Sequence, residues 1–146
     1  MKFQKILLPT DFSDESLYAL SYAVDLAKIF NANLYLLHVI YDIEKVSNLH
    51  IPHPSLTELY KDLENHAKKN LDSFGIDIRE GLKNVETVVK RGISYEEIIN
   101  FAEENAIDLI VIGTLHRSAI ERFFIGSTTQ RIIRNAPCPV LVVSKK

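Results

Sequence analysis

The sequence predicts an α/β protein: a five-stranded parallel, doubly wound sheet, strand order 3-2-1-4-5, with helices on both faces. Three observations lead there. Short apolar runs of strand length alternate with longer stretches of helical spacing along the whole chain. Helix-start and helix-stop residues stand at the boundaries between them. No low-complexity or Pro/Gly-rich stretch divides the chain, so residues 1–146 read as one domain. The strand order follows if the first three strands extend the sheet one way and the last two the other.

Ile6-Leu7-Leu8 reads as a buried strand ended by Pro9. Ser13 is the expected N-cap of the first helix, with Asp14 and Glu15 in its first turn and Leu20, Ala23, Val24, Ala27 and Phe30 on its apolar side. Leu34 to Ile40, interrupted by His38, is a strand covered on both faces. Tyr41 to Pro54 has no clean period and reads as a loop. Ser55-Leu56-Thr57-Glu58 spells a capping box opening a second helix. Its buried stripe is Leu56, Leu59, Tyr60, Leu63, Ala67, Leu71 and Phe74, and Gly75 is its expected stop.

Val85 to Val89 is the third strand. Ser94-Tyr95-Glu96-Glu97 is a second capping box, with Ile93 and Ile98 spaced as a hydrophobic staple, and this third helix ends near Asn105. Leu109 to Ile112 is a strand stopped by Gly113, followed by a loop of unusual length. Ser127 to Gln130 opens a fourth helix that Pro137 ends, and Val140 to Val143 is the last strand.

Composition narrows the function classes. Seventeen Lys and Arg against nineteen Asp and Glu leave a formal charge of −2, which argues against a nucleic-acid binder. The single cysteine, Cys138, excludes an internal disulfide framework and suits a reducing compartment. The apolar run before Pro9 is too short for a signal peptide or a membrane span, so a cytoplasmic protein with no membrane contact is expected.

In doubly wound sheets, ligands bind beyond the carboxyl ends of the strands where strand order reverses, here between strands one and four. The segments at that point are Pro9-Thr10-Asp11 and Gly113-Thr114, with the start of the fourth helix nearby. A helix N-terminus offers free amides and partial positive charge to an anion at Gly126-Ser127-Thr128. Asp11 can accept hydrogen bonds from a ribose or a base amine. Each position also has a plainer reading. Ser127 with Gln130 is a complete capping box, Gly113 a strand end, Gly126 a tight turn and Asp11 a turn residue.

Several segments resemble the universal stress protein family, in order and over essentially the whole chain. They are Ile6 to Ser13, Leu36 to Val39, Val111 to Ser118 running on through Ile125-Gly126-Ser127, and Asn135 to Val143. The resemblance implies a Rossmann-like fold and a regulatory module that binds an adenine nucleotide: ATP first, or ADP or AMP, with or without Mg²⁺. Nucleotide-binding members carry Gly-x2-Gly-x9-Gly-Ser/Thr. Gly113, Gly126 and Ser127 match it, and His116 stands at the second glycine.

His116 can adopt a left-handed backbone, block a phosphate, or donate a hydrogen bond to one. The implied nucleotide site comprises Pro9, Thr10, Asp11, Val39, Gly113, Thr114, His116, Arg117, Gly126, Ser127 and Thr128, with Asp11 and Val39 by the adenosine. No catalytic residue and no metal ligand belongs to it. The resemblance further implies a homodimer joined through Val140–Val143. The alternative function is a nucleotide-free dimeric stress-response protein acting through protein interactions.

Other chemistry finds little support in the sequence. There is neither a Gly-x4-Gly-Lys-Ser/Thr loop nor a Gly-x-Gly-x-x-Gly fingerprint, so at most slow ATP hydrolysis is expected. His50 and His53 read as loop residues rather than metal ligands, and His38 as a hydrogen-bonded core residue. Arg117 and Arg122 either approach phosphates or stay solvated. Cys138, between two prolines with no base beside it, is not a nucleophile.

Overall fold

A computed structural model describes residues 2–47, 54–114 and 126–145. The strands are β1 (Lys5–Pro9), β2 (Asn33–Tyr41), β3 (Asn84–Gly92), β4 (Leu109–Thr114) and β5 (Val140–Ser144). All pairings are parallel, and the order is β3-β2-β1-β4-β5. The five-stranded doubly wound sheet predicted from the sequence is therefore present. Ile6 lies opposite Leu34 on one side and Leu109 on the other, which puts β1 at the centre.

The helices are α1 (Asp14–Phe30), α2 (Ile43–Ser47), α3 (Pro54–Ile78), α4 (Ser94–Glu104) and α5 (Ser127–Asn135). Side chains along each strand point alternately to opposite faces, and each face has its own core. Ile6, Leu8, Leu34, Leu36 and Val111 meet the alanine stripe of α1 (Ala19, Ala23, Ala27) and Leu71 of α3. Leu7, Tyr35, Leu37, Ile110 and Ile112 meet Ile98 and Phe101 of α4 and Ile132 of α5. The small residues of α1 let it lie close on the central strands.

Helix starts follow local chemistry in one case and tertiary packing in the others. Ser13 caps α1 as expected, its hydroxyl accepting the Ser16 amide at 3.3 Å. Asn31, in the left-handed conformation (φ 52°), closes the other end by donating to the Ala27 and Lys28 carbonyls. The three capping boxes, by contrast, are displaced. α3 begins at Pro54, a residue favoured at the first helical position, so Ser55 lies inside the helix. Ile93 rather than Ser94 caps α4, and Gly126 rather than Ser127 caps α5, neither with a side-chain hydrogen bond.

Three further expectations are corrected. Gly75 does not stop α3, because Phe74 and Ile78 both pack on the core and hold another turn in place. Leu59 and Leu63 are exposed (47% and 42%), while Tyr60, Ala67 and Leu71 carry the buried stripe. The segment after Tyr41 is not all loop, since α2 forms there.

Asp42 organises that segment. Its carboxylate, 3% exposed, accepts the Glu44 and Lys45 amides at 3.1 and 3.3 Å. It also pairs with Arg91 of β3 at 3.3 Å. The Arg91 guanidinium lies 4.6 Å over the Tyr60 ring, and the Tyr60 hydroxyl accepts the Ile43 amide at 3.0 Å. Among the described residues, no helix is long and apolar enough to cross a membrane.

Candidate functional site

The reversal of strand order lies between β1 and β4, and the chain leaving β1 there makes a tightly tied turn. The Thr10 amide donates to the Leu37 carbonyl at 2.8 Å, and the Thr10 carbonyl accepts from His38 Nδ1 at 2.8 Å. Phe12 has a left-handed backbone (φ 64°), uncommon for an aromatic residue. Its amide donates to the Thr10 hydroxyl at 3.1 Å, and its ring stacks on His38 at 4.5 Å. The Ser16 hydroxyl donates to the Ser13 carbonyl at 2.9 Å, so the 2.9 Å contact between Thr10 and Ser16 must carry the Thr10 proton. His38 is thus the half-buried, hydrogen-bonded residue expected.

Asp11 projects from this turn. Its carboxylate accepts from both the amide and the hydroxyl of Ser13, the turn chemistry of an aspartate two residues ahead. Partial burial opposes ionisation, but the hydrogen bonds from Ser13, with help from Ser16, outweigh it and hold the carboxyl below its ordinary value. Asp11 is therefore an anion and an acceptor at neutral pH. Sequence reasoning set the turn reading against the ligand reading; the turn hydrogen bonds form, and the side chain still lines the neighbouring cleft.

That cleft, of about 230 Å³, opens at the carboxyl ends of β1, β2 and β4. Pro9, Thr10, Asp11, Val39, Gly113 and Thr128, all expected from the sequence, line it. Thr114, Gly126 and Ser127 adjoin this wall in sequence without lining it. His116 and Arg117 lie outside the described residues, as do Arg122, His50 and His53. Sequence reasoning missed Ser13, Glu15 and Ser16 of the first turn of α1, and Ser94 and Ile98 of α4. The signal was available in the topology: helices following parallel strands present their N-termini at the carboxyl edge of the sheet.

The two ends of the glycine pattern have different surroundings. A Cβ on Gly113 would collide with the Glu15 carbonyl and come within 3.0 Å of the Ser16 amide nitrogen, so a backbone-to-backbone approach demands glycine. A Cβ on Gly126 would meet nothing within 4 Å among the described residues. Gly113 does not stop β4, which runs through Thr114. Thr114 stands on the same face of β4 as the cleft-lining Ile112. It is 5% exposed, and its hydroxyl has no hydrogen-bond partner among the described residues.

Cys138 is half-buried, and burial together with the nearby Asp108 carboxylate pushes its thiol up, away from nucleophile behaviour. Among the described residues no group of three or more His, Cys, Asp or Glu could hold a metal ion.

A parallel doubly wound sheet with a cleft at its switch point defines the class: an α/β protein of the Rossmann-like type. The chain matches the universal stress protein family over residues 2–144, and it belongs to that family. Universal stress protein MJ0531 of Methanocaldococcus jannaschii is 37% identical, the match covering 98% of this chain and 83% of that protein. The structure of universal stress protein UspA from Lactobacillus plantarum superimposes with a TM-score of 0.84 at 33% identity, covering 98% of this chain and 99% of that one. A family protein from Arabidopsis thaliana with AMP bound shares the fold at a TM-score of 0.69, with 17% identity over 98% of this chain and 92% of that one.

Proposed function

We propose that this chain is a regulatory module that binds an adenine nucleotide in the cleft at the ends of β1 and β4. The observation that carries the reading is the buried Thr114 hydroxyl, which has no partner among the described residues and stands on the face of β4 that carries the cleft-lining Ile112. An unpartnered buried hydroxyl costs about 1–3 kcal/mol, which a ligand acceptor would offset. The first amides of α5 have no side-chain cap among the described residues, and no described atom lies within 4 Å of where a Gly126 Cβ would stand. Uncapped amides at a helix start suit a phosphate. Pro9, Leu37 and Val39 offer an apolar wall to a base, and the Asp11 carboxylate suits the hydroxyls of a ribose. The Arabidopsis relative with AMP supports the same ligand class.

The test is calorimetric titration of nucleotide-stripped protein with ATP and Mg²⁺, repeated on Gly126→Val, Thr114→Val and His116→Gly. Micromolar binding by the native chain is expected, weakened tenfold or more by Gly126→Val, whose side chain fills the open space. Thr114→Val should weaken binding several-fold while leaving the ligand-free protein as stable or more so, since it removes an unsatisfied hydroxyl. No binding by the native chain with recovery in His116→Gly would mean that His116 closes the site. Silence in both would leave the nucleotide-free, protein-interaction function.

A further inference from the structure

A groove of about 650 Å³ lies between α4 and α5. Ile98 and Phe101 of α4 and Ile132 of α5 face the core, while the neighbouring positions Ile99, Asn100, Arg131 and Arg134 line the groove. Its two walls differ. The α5 wall carries the guanidinium groups of Arg131 and Arg134, three residues apart and so neighbours on one helix face. The α4 wall offers the Tyr95 ring and the Ile99 side chain, both half-buried. The Arg131 guanidinium lies 4.5 Å over the Tyr95 ring. Stacking through its flat face leaves its N–H edge for an acceptor. Glu96, the one carboxylate among the described lining residues, accepts the Tyr95 hydroxyl at 2.8 Å. The ion pairs among the described residues are Lys45 with Glu97 and Arg91 with Asp42, so neither groove arginine is neutralised by a described carboxylate. These two cations stand side by side on a chain whose formal charge is −2.

We propose that this groove docks an acidic, extended segment of a partner protein, with Arg131 and Arg134 receiving its carboxylates. Side chains three apart on a helix have Cβ atoms about 5–6 Å apart. Alternate side chains of an extended peptide lie on one side, about 6–7 Å apart. Two carboxylates spaced Glu-x-Glu therefore match the two guanidinium groups, and each pair can be bidentate. The intervening side chain then faces the α4 wall, where Ile99 and Tyr95 suit an apolar residue. The Asn100 amide, exposed at the same wall, can pair with the segment's backbone. A volume of about 650 Å³ has room for several residues of such a segment, far more than a lone carboxylate or phosphate fills. Among the described residues none lines both this groove and the cleft, so the proposal stands whether or not a nucleotide binds.

The probe is a fluorescein-labelled eight-residue peptide of alternating glutamate and valine, titrated with the native chain by anisotropy at low salt. Micromolar binding is expected, weakening as salt is raised. The peptide with glutamine in place of glutamate should bind at least fivefold more weakly. Arg131→Gln and Arg134→Gln should each weaken binding about 2- to 5-fold, the scale of a solvent-exposed ion pair, and together about tenfold. Glu96→Gln should strengthen it. Lys68→Gln with Lys69→Gln removes the same charge from α3, which packs on the opposite face of the sheet, and should change binding less than twofold. All these positions are exposed, so the variants keep the fold. Amide chemical shifts during the titration should move in α4 and α5 and stay fixed in α3.

Absence of binding by the acidic peptide overturns the proposal. An equal loss in the lysine variant does so too, since the attraction would then be general. Full displacement by an equimolar amount of inorganic phosphate would reduce the groove to a small-anion site and overturn the peptide assignment. If the arginine double variant weakens self-association of the chain but leaves peptide binding unchanged, the occupant is a second copy and the proposal falls.

Discussion

Gly113 and Gly126 lack a side chain for different physical reasons, and the difference separates folding from binding at single residues. At Gly113 the neighbour is backbone, the Glu15 carbonyl and the Ser16 amide, which cannot turn away as a side chain would. Gly113→Ala should therefore destabilise the protein by about 1–3 kcal/mol in urea unfolding, the range for forcing a methyl into a filled space. Gly126→Ala should change stability by less than about 0.5 kcal/mol, as expected of an exposed position whose φ of −54° suits any residue. If both substitutions destabilise equally, Gly126 is held by packing and the open space there is not ligand space. The sequence showed both glycines in the right pattern but could not show this split, because the atoms facing Gly113 lie some hundred residues earlier in the chain. Pro9, Thr10 and Asp11 were legible because their position follows from topology alone, whereas Val39 came only with the family resemblance. Glu15 and Ser94 were not singled out, since each is an ordinary first-turn residue until the helix is docked.

Helix boundaries show the same contest at the scale of elements. Three Ser-x-x-Glu/Gln patterns pointed to caps at Ser55, Ser94 and Ser127, and each helix has already begun at or before that serine. A cap side chain contributes about 1 kcal/mol, whereas burying one isoleucine contributes roughly 1.5–3 kcal/mol. Ile98 of α4 and Ile132 of α5 are buried against the sheet, and docking them outweighs the local signal. Strands were found in full but read short. β3 runs on to Gly92 through Lys90 and Arg91, which an edge strand tolerates and an apolar-run criterion does not. Arg91 in turn supports α2 through Asp42, a link across sequence that periodicity cannot reveal. Arg91→Met should leave the buried Asp42 carboxylate without its cation and lower stability by about 1–3 kcal/mol. That is below the value for a fully buried pair, because the Arg91 side chain is 42% exposed. Adding Asp42→Asn should restore part of the loss; a change under about 0.5 kcal/mol in the single variant would show that water already serves Asp42.

Over the whole molecule, the sheet has two edges, and they are unequally protected. β3 carries Glu86, Lys90 and Arg91 along its length, charges that discourage another strand from pairing there. β5 is Val-Leu-Val-Val-Ser, without a charge, and Leu141 is exposed at 37%. An uncharged apolar edge calls for a cover, and the one partner every copy meets is another copy of itself. The homodimer through Val140–Val143 is thus a proposal that the edge chemistry supports independently of family resemblance. Light scattering after size exclusion should give a dimer at tens of micromolar. Leu141→Lys should weaken association at least tenfold, while Glu86→Lys at the opposite edge should not. Thermal unfolding of the native chain should also rise with protein concentration, as coupled association requires, and that dependence should vanish in Leu141→Lys. A native chain that is monomeric throughout this range, with a concentration-independent midpoint, would mean that β5 is left open for a different protein; its bare edge would then be the natural surface through which nucleotide occupancy is reported.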